Sequence, residues 1–196
     1  GVQTCALPIY PPDQIYYIPK VQKAESLNLG PYKVISVASN DIFVAILGNN
    51  TEGGYSIYLY NKTSFPTPAS FIETKVVIPA NNTENITCSQ IKMSNSSNLG
   101  SLTIVAFCKS IYSPFFFGWR GKSSGGMFPF FRGVSIFEVT ENMLYIVREK
   151  SYYMIHCYQI SEQEALLSFN RSKILSRDDL DIQDFGEITS LSAIKA

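Results

Sequence analysis

The chain has 196 residues with 16 basic and 16 acidic side chains, a formal net charge of zero. That balance leaves no basic footprint for nucleic acid or an anionic membrane surface. No run approaches the roughly 18 uninterrupted apolar residues of a helical membrane span. Only 16% of residues are charged, with 12 Tyr, 13 Phe and abundant Ser, Thr and Asn beside them. β-Branched and aromatic side chains fit a pleated, half-buried surface, so an all-β fold is expected.

The opening "GVQTCALPI", residues 1–9, resembles the in-frame translation of a sequencing-adapter oligonucleotide. Tyr10, whose codons all begin with T, is consistent with that junction. Residues 1–9 are therefore set aside as non-native, Cys5 with them, and the domain is taken as 10–196. On this reading the native N-terminus is missing.

From residue 10 onward, period-2 patterns and short apolar runs predict strands separated by turns every ten or so residues. The first is "QIYYIPKV", then "KVISVAS", a tight Asn40-Asp41 turn, "IFVAIL", "YSIYLYN" and, after a Pro-containing connection, "FIETKVVIP". The connecting loops are too short for parallel crossovers, so the pairings should be antiparallel. A further hairpin follows in "ITCSQIKMS" and "SLTIVAFCKS". Then come "GVSIFEV", "MLYIVRE", "KSYYMIHCYQI" and "ALLSFN", with the closing "FGEITSLSAIKA" reading as one more strand. Ser161 and Glu164 have the spacing of a helix capping box, but a polar turn before a strand fits better.

Aligning the two tight turns places Ile35 on Ile136, Ala38 on Val139, Ile42 on Met143 and Ile46 on Val147. Four short antiparallel strands recurring about every fifty residues are a signature of β-propeller blades. On these residues the chain resembles the β-propeller repeats of large protist, ciliate-like cell-surface proteins. The resemblance implies an all-β partial β-propeller of about three to four four-stranded antiparallel blades, the remaining blades belonging to the same longer chain. A β-sandwich built from the same strands is the alternative.

Cysteine spacing and sequons point to a compartment. Pairing outward from a loop centred near residue 98 puts Ser94 opposite Leu102 and Cys88 opposite Cys108, within disulfide reach on one face. Cys157 is left over, buried and free or paired elsewhere. Glycosylation sequons stand at Asn49, Asn61, Asn81, Asn85, Asn95 and Asn170. Together these features predict a secreted, lumenal or cell-surface glycoprotein.

Several motifs are considered and set aside. The Gly121-Lys122-Ser123 triplet lacks the phosphate-loop glycine five positions earlier, where Phe116 stands. Asp184-Phe185-Gly186 has none of the kinase context around it. His156, the only histidine, adjoins Cys157, and neighbours on a strand face opposite sides. Asp178, Asp179, Asp181 and Asp184 lack the calcium-loop glycine and terminal Glu. No catalytic residue, cofactor or metal site is assigned.

The stretch "SPFFFGWRGKSSGGMFPFFRG" has no periodicity and is read as an aromatic, Gly-rich insertion at 110–133. Aromatic rings mixed with Arg are what interfaces use, so Phe115, Phe116, Phe117, Trp119, Arg120, Phe128, Phe130 and Phe131 form a candidate interaction loop. The alternative is an insertion that folds its rings against the sheet. The expected function is a non-catalytic binding or scaffolding module with a protein or glycan ligand. The competing class is a fragment of a propeller-fold enzyme, a hydrolase or oxidoreductase, whose site lies in missing blades.

Overall fold

Short runs of β-branched and aromatic residues, broken by Asn, Gly, Ser and Glu turns, fold into meanders. The computed structural model describes residues 33–49, 54–63, 71–78, 86–111, 113–127, 133–134, 136–149, 151–176, 178–180 and 187–192. The described residues form three successive four-stranded antiparallel meanders. The first is β1 (Lys33–Ser39), β2 (Phe43–Asn49), β3 (Tyr55–Asn61) and β4 (Phe71–Ile78). The second is β5 (Thr87–Met93), β6 (Thr103–Lys109), β7 (Pro114–Arg120) and β8 (Ser123–Met127). The third is β9 (Ile136–Val139), β10 (Met143–Arg148), β11 (Ser151–Gln163) and β12 (Leu166–Leu175), followed by a 3-10 turn at Asp178–Leu180.

The chain is all-β, but it is not the expected partial propeller. The first meander is its own sheet, whereas the second and third join into one eight-stranded sheet, ordered β5-β6-β7-β8-β12-β11-β10-β9. The joint is a parallel contact of Leu166 with Ser124, whose N–H donates to the Ala165 carbonyl at 3.2 Å. The merged sheet curls until its edges β5 and β9 approach one another, where Lys92 Nζ lies 3.4 Å from Glu138 Oε2. The result is a nearly closed barrel with the first sheet laid against its side.

Two glycines explain the joint. Gly118 on β7 pairs across the hairpin with Gly125 on β8. A Cβ at Gly118 would lie 2.6 Å from Phe169 Cζ and 2.7 Å from Leu167 Cδ2, and one at Gly125 would overlap the Leu167 carbonyl oxygen. The bare pair lets β12 come up against β7 and β8, which is a recognised use of glycine in strands. Blades of a propeller remain separate sheets; here the missing side chains let two meanders join in one sheet, and neither forms a blade.

Among the described residues two large apolar interiors result, beside a small cluster of Ile46, Tyr58 and Tyr60 on the other face of the first sheet. Phe43, Ala45, Leu47, Ile57 and Leu59 of the first sheet pack on Ile91, Ile104, Ala106, Phe115, Phe117 and Trp119 of the second meander. On its other face the second meander contributes Val105, Phe107 and Phe116 to the barrel interior, with Phe137, Val139, Leu144, Ile146, Tyr158, Ile160 and Leu167. β6 and β7 are therefore buried on both faces, which is why neither reads as an alternating strand. It is also why the β-sandwich alternative fails as a full description, because the shared strands serve two cores.

The supposed insertion is a correction of the same kind. Residues 114–127 form the β7–β8 hairpin, turning at Gly121, whose φ of 55° suits a glycine. Phe115, Phe116, Phe117, Trp119 and Arg120 are all buried. They are core, not an exposed loop. Phe128, Phe130 and Phe131 lie outside the described residues, as does the first expected strand at 14–21. No strand forms over 187–192, part of the closing strand expectation. Ser161 and Glu164 cap no helix: β11 runs to Gln163, and Glu164 (φ 47°) and Ala165 (φ 68°) make the two-residue hairpin turn. Positive φ at both central positions matches the twist of the flanking strands.

Candidate functional site

The first strands of the three meanders, β1, β5 and β9, converge on one side of the molecule and frame a trough. One part, about 270 Å³, is lined by Ser36, Val37, Ser39, Gln90, Lys92 and Glu138. An adjoining part, about 290 Å³, is lined by Asn40, Asp41, Asn95 and Ser192 and shares Ser39, Met93 and Glu138 with the first. Their combined size falls in the range of small-ligand sites.

Each lining group has a local reason for its position. Asn40 occupies the β1–β2 turn, where its Oδ1 accepts the Ile42 and Phe43 amides at 2.9 and 2.8 Å, an Asx turn. Its Nδ2 donates to the carbonyls of Ser94 and Ser96 at 3.1 and 2.9 Å, tying the first meander to the β5–β6 loop. Ser36 Oγ accepts the Ile91 amide at 3.2 Å, a second tie between β1 and β5. Lys92 and Glu138 then bridge β5 to β9, their side chains 31% and 15% exposed. A pair this accessible contributes at most about 1 kcal/mol; its effect is to hold opposite charges at fixed places in the trough.

The chemistry offered is hydrogen bonding. Hydroxyls, carboxamides, the Lys92 ammonium and the carboxylates of Asp41 and Glu138 line the walls, with exposed Val37 as an apolar face. His156 is elsewhere: it aligns with Ile146 on the barrel-facing side of β11, whereas Cys157 pairs with Tyr145 on the other. Burial, then Arg148, then Arg171 lower the His156 pKa. Burial raises that of Cys157, which is a free, buried thiol. Among the described residues no group of three or more His, Cys, Asp or Glu side chains is placed to hold a metal ion.

At the end of the barrel that carries the β5–β6 and β9–β10 loops, Arg120 is 8% exposed, with Nε donating to Thr103 Oγ1 at 2.9 Å. Thr103 Oγ1 donates in turn to the Glu141 carbonyl at 2.8 Å, and Ser123 Oγ donates to Glu162 Oε1. Burial lowers the Arg120 pKa, against the pull of Glu162 and Glu141. In the acidic turn near residue 178 the Asp179 carboxylate accepts the Ser176 amide and hydroxyl, both at 2.7 Å, which lower its pKa, whereas Asp181 and Asp184 lie outside the described residues.

Cys88 and Cys108 form a disulfide across the β5–β6 hairpin. The register differs from the simple count: Met93 pairs with Ile104 and Lys92 with Val105, one residue off the expected alignment. A bulge between Cys88 and Gln90 removes the offset and brings the cysteines opposite. Of the sequons, Asn61 Oδ1 accepts the Thr63 amide and hydroxyl at 2.9 and 2.7 Å. Asn49 is half-buried, its Oδ1 sealed from solvent. Asn170 is exposed and donates to Ser161 Oγ at 3.1 Å. Asn95 is exposed at the trough rim. Asn81 and Asn85 lie outside the described residues.

Sequence reasoning missed the trough. The only local signal was the Asn40-Asp41 turn, and nothing in the sequence placed it beside Glu138. Comparison with known proteins adds no further assignment, since no family model, curated protein or solved structure matches the chain.

Proposed function

We propose that the chain is a non-catalytic binding module of a secreted or cell-surface protein, taking a glycan in the trough between β1, β5 and β9. The observation that carries this reading is the trough lining: hydroxyls and carboxamides of Ser36, Ser39, Asn40 and Gln90 around the Lys92–Glu138 pair. Donors and acceptors of that kind match the hydroxyl array of a neutral sugar, and Val37, 55% exposed, offers an apolar face for a ring. The Cys88–Cys108 bridge supports an oxidising compartment.

Saturation-transfer NMR of the folded, disulfide-bonded and unglycosylated chain against a panel of soluble mannose-, galactose- and N-acetylglucosamine-containing oligosaccharides tests it. At least one should bind, and Glu138→Gln with Lys92→Met should weaken it tenfold or more. Absence of binding across the panel, or binding indifferent to both substitutions, overturns the reading. Binding of extended peptides instead would reassign the trough to a protein ligand.

A further inference from the structure

The six sequons are not equivalent, and the β5–β6 loop singles one out. Ser94 and Ser96 are buried, 0% and 3% exposed, whereas Asn95 and Ser97 between and after them are exposed. The buried pair is held firmly. Ser94 Oγ accepts the Thr103 amide at 2.9 Å, and Ser96 Oγ shares a hydrogen bond with Ser101 Oγ at 2.7 Å while accepting the Asn98 amide at 3.2 Å. Asn40 fixes the carbonyls on both sides of Asn95. With residues 94 and 96 turned inward, the sequon's acceptor Asn95 and its hydroxyl residue Ser97 are turned to solvent.

The other described sequons are less favourably placed. Asn61 uses its carbonyl on Thr63, Asn170 its amide on Ser161, and Asn49 has its Oδ1 sealed in. Asn95 also lines the trough beside Asn40, Asp41 and Glu138. A glycan is bulky and solvated. One rooted at this rim must overhang the opening.

We propose that Asn95 carries an N-linked glycan that shields the trough and controls access to Lys92 and Glu138. The inference rests on the secretory and trough-binding reading above, and its test is arranged to fail separately. The chain is expressed behind an added endoplasmic-reticulum signal peptide, which delivers it to the lumen whatever its native compartment. Glycopeptide mapping should find Asn95 occupied in most molecules. Ser97→Ala destroys the sequon while leaving Asn95 in place. Amine-reactive footprinting should then label Lys92 at least threefold faster in Ser97→Ala than in the glycosylated chain. Lys109, exposed at the opposite end of the β5–β6 hairpin, should be labelled alike in both.

An empty Asn95, or equal Lys92 labelling in the two proteins, overturns the shield. Equal urea unfolding midpoints for the two proteins confirm that the comparison is between folded molecules. Oligosaccharides that fail to bind even Ser97→Ala overturn the trough-binding reading while leaving the shield intact.

Discussion

The two apolar interiors share β6 and β7 yet are closed by different means. Between the first sheet and the barrel wall the core is broad and, among the described residues, built of apolar side chains, and a covalent bridge, Cys88–Cys108, lies within it. Inside the barrel the centre is a cluster of Phe107, Phe116 and Phe137, with ring centroids 5.1 to 6.2 Å apart and Phe116 set edge-on to Phe137. Polar groups stand at its ends, Arg120 at one and His156 toward the other. A flat layer can be sealed by area alone. A closed one must also satisfy the groups at its openings, so its stability should depend on pH where the flat layer's does not.

Truncating the barrel cluster gives the largest expected effect. Phe116→Ala empties a fully buried site touching both other rings and should cost about 3–5 kcal/mol in urea unfolding. A loss under 1 kcal/mol would mean the barrel interior is far looser than its ring geometry implies. Removing the bridge with Cys88→Ala and Cys108→Ala probes the other interior. Its 20-residue separation predicts a loss of about 3 kcal/mol, with the barrel-side pH response unchanged.

The pH response itself sharpens the contrast. His156 has a lowered pKa in the fold, so the unfolded chain binds its proton more tightly. Its contribution is therefore fully present above the ordinary imidazole pKa of about 6.5 and is lost as pH falls below it. The urea midpoint should drop between pH 8 and pH 5.5, and His156→Gln should flatten that drop. An unchanged slope in the variant would remove His156 from the account. The smallest effect is local and of opposite sign: Ala165→Gly relieves a positive-φ residue in the β11–β12 turn and should stabilise by about 1 kcal/mol.

What the sequence disclosed was local. Alternation in "KVISVAS" and "MLYIVRE", turn residues and the hundred-residue offset located most of the meanders, because a half-buried strand writes its period into its residues. β7 was missed because "PFFFGWR" has both faces buried and so no period to read. The fusion of two meanders was hidden for a different reason. It depends on what Gly118 and Gly125 lack, and on a β12 partner more than forty positions away in the chain. The trough escaped because its walls come from three separate turns and strands that only the tertiary fold brings together.

The glycine seam has an evolutionary consequence. Most buried positions can drift by small steps, each added methyl accommodated by a neighbouring rotamer. At Gly125 the obstacle is the main-chain carbonyl of Leu167, which has no rotamer to change. Even the smallest replacement must displace the β12 main chain, so this position is closed to the gradual repacking open to the others.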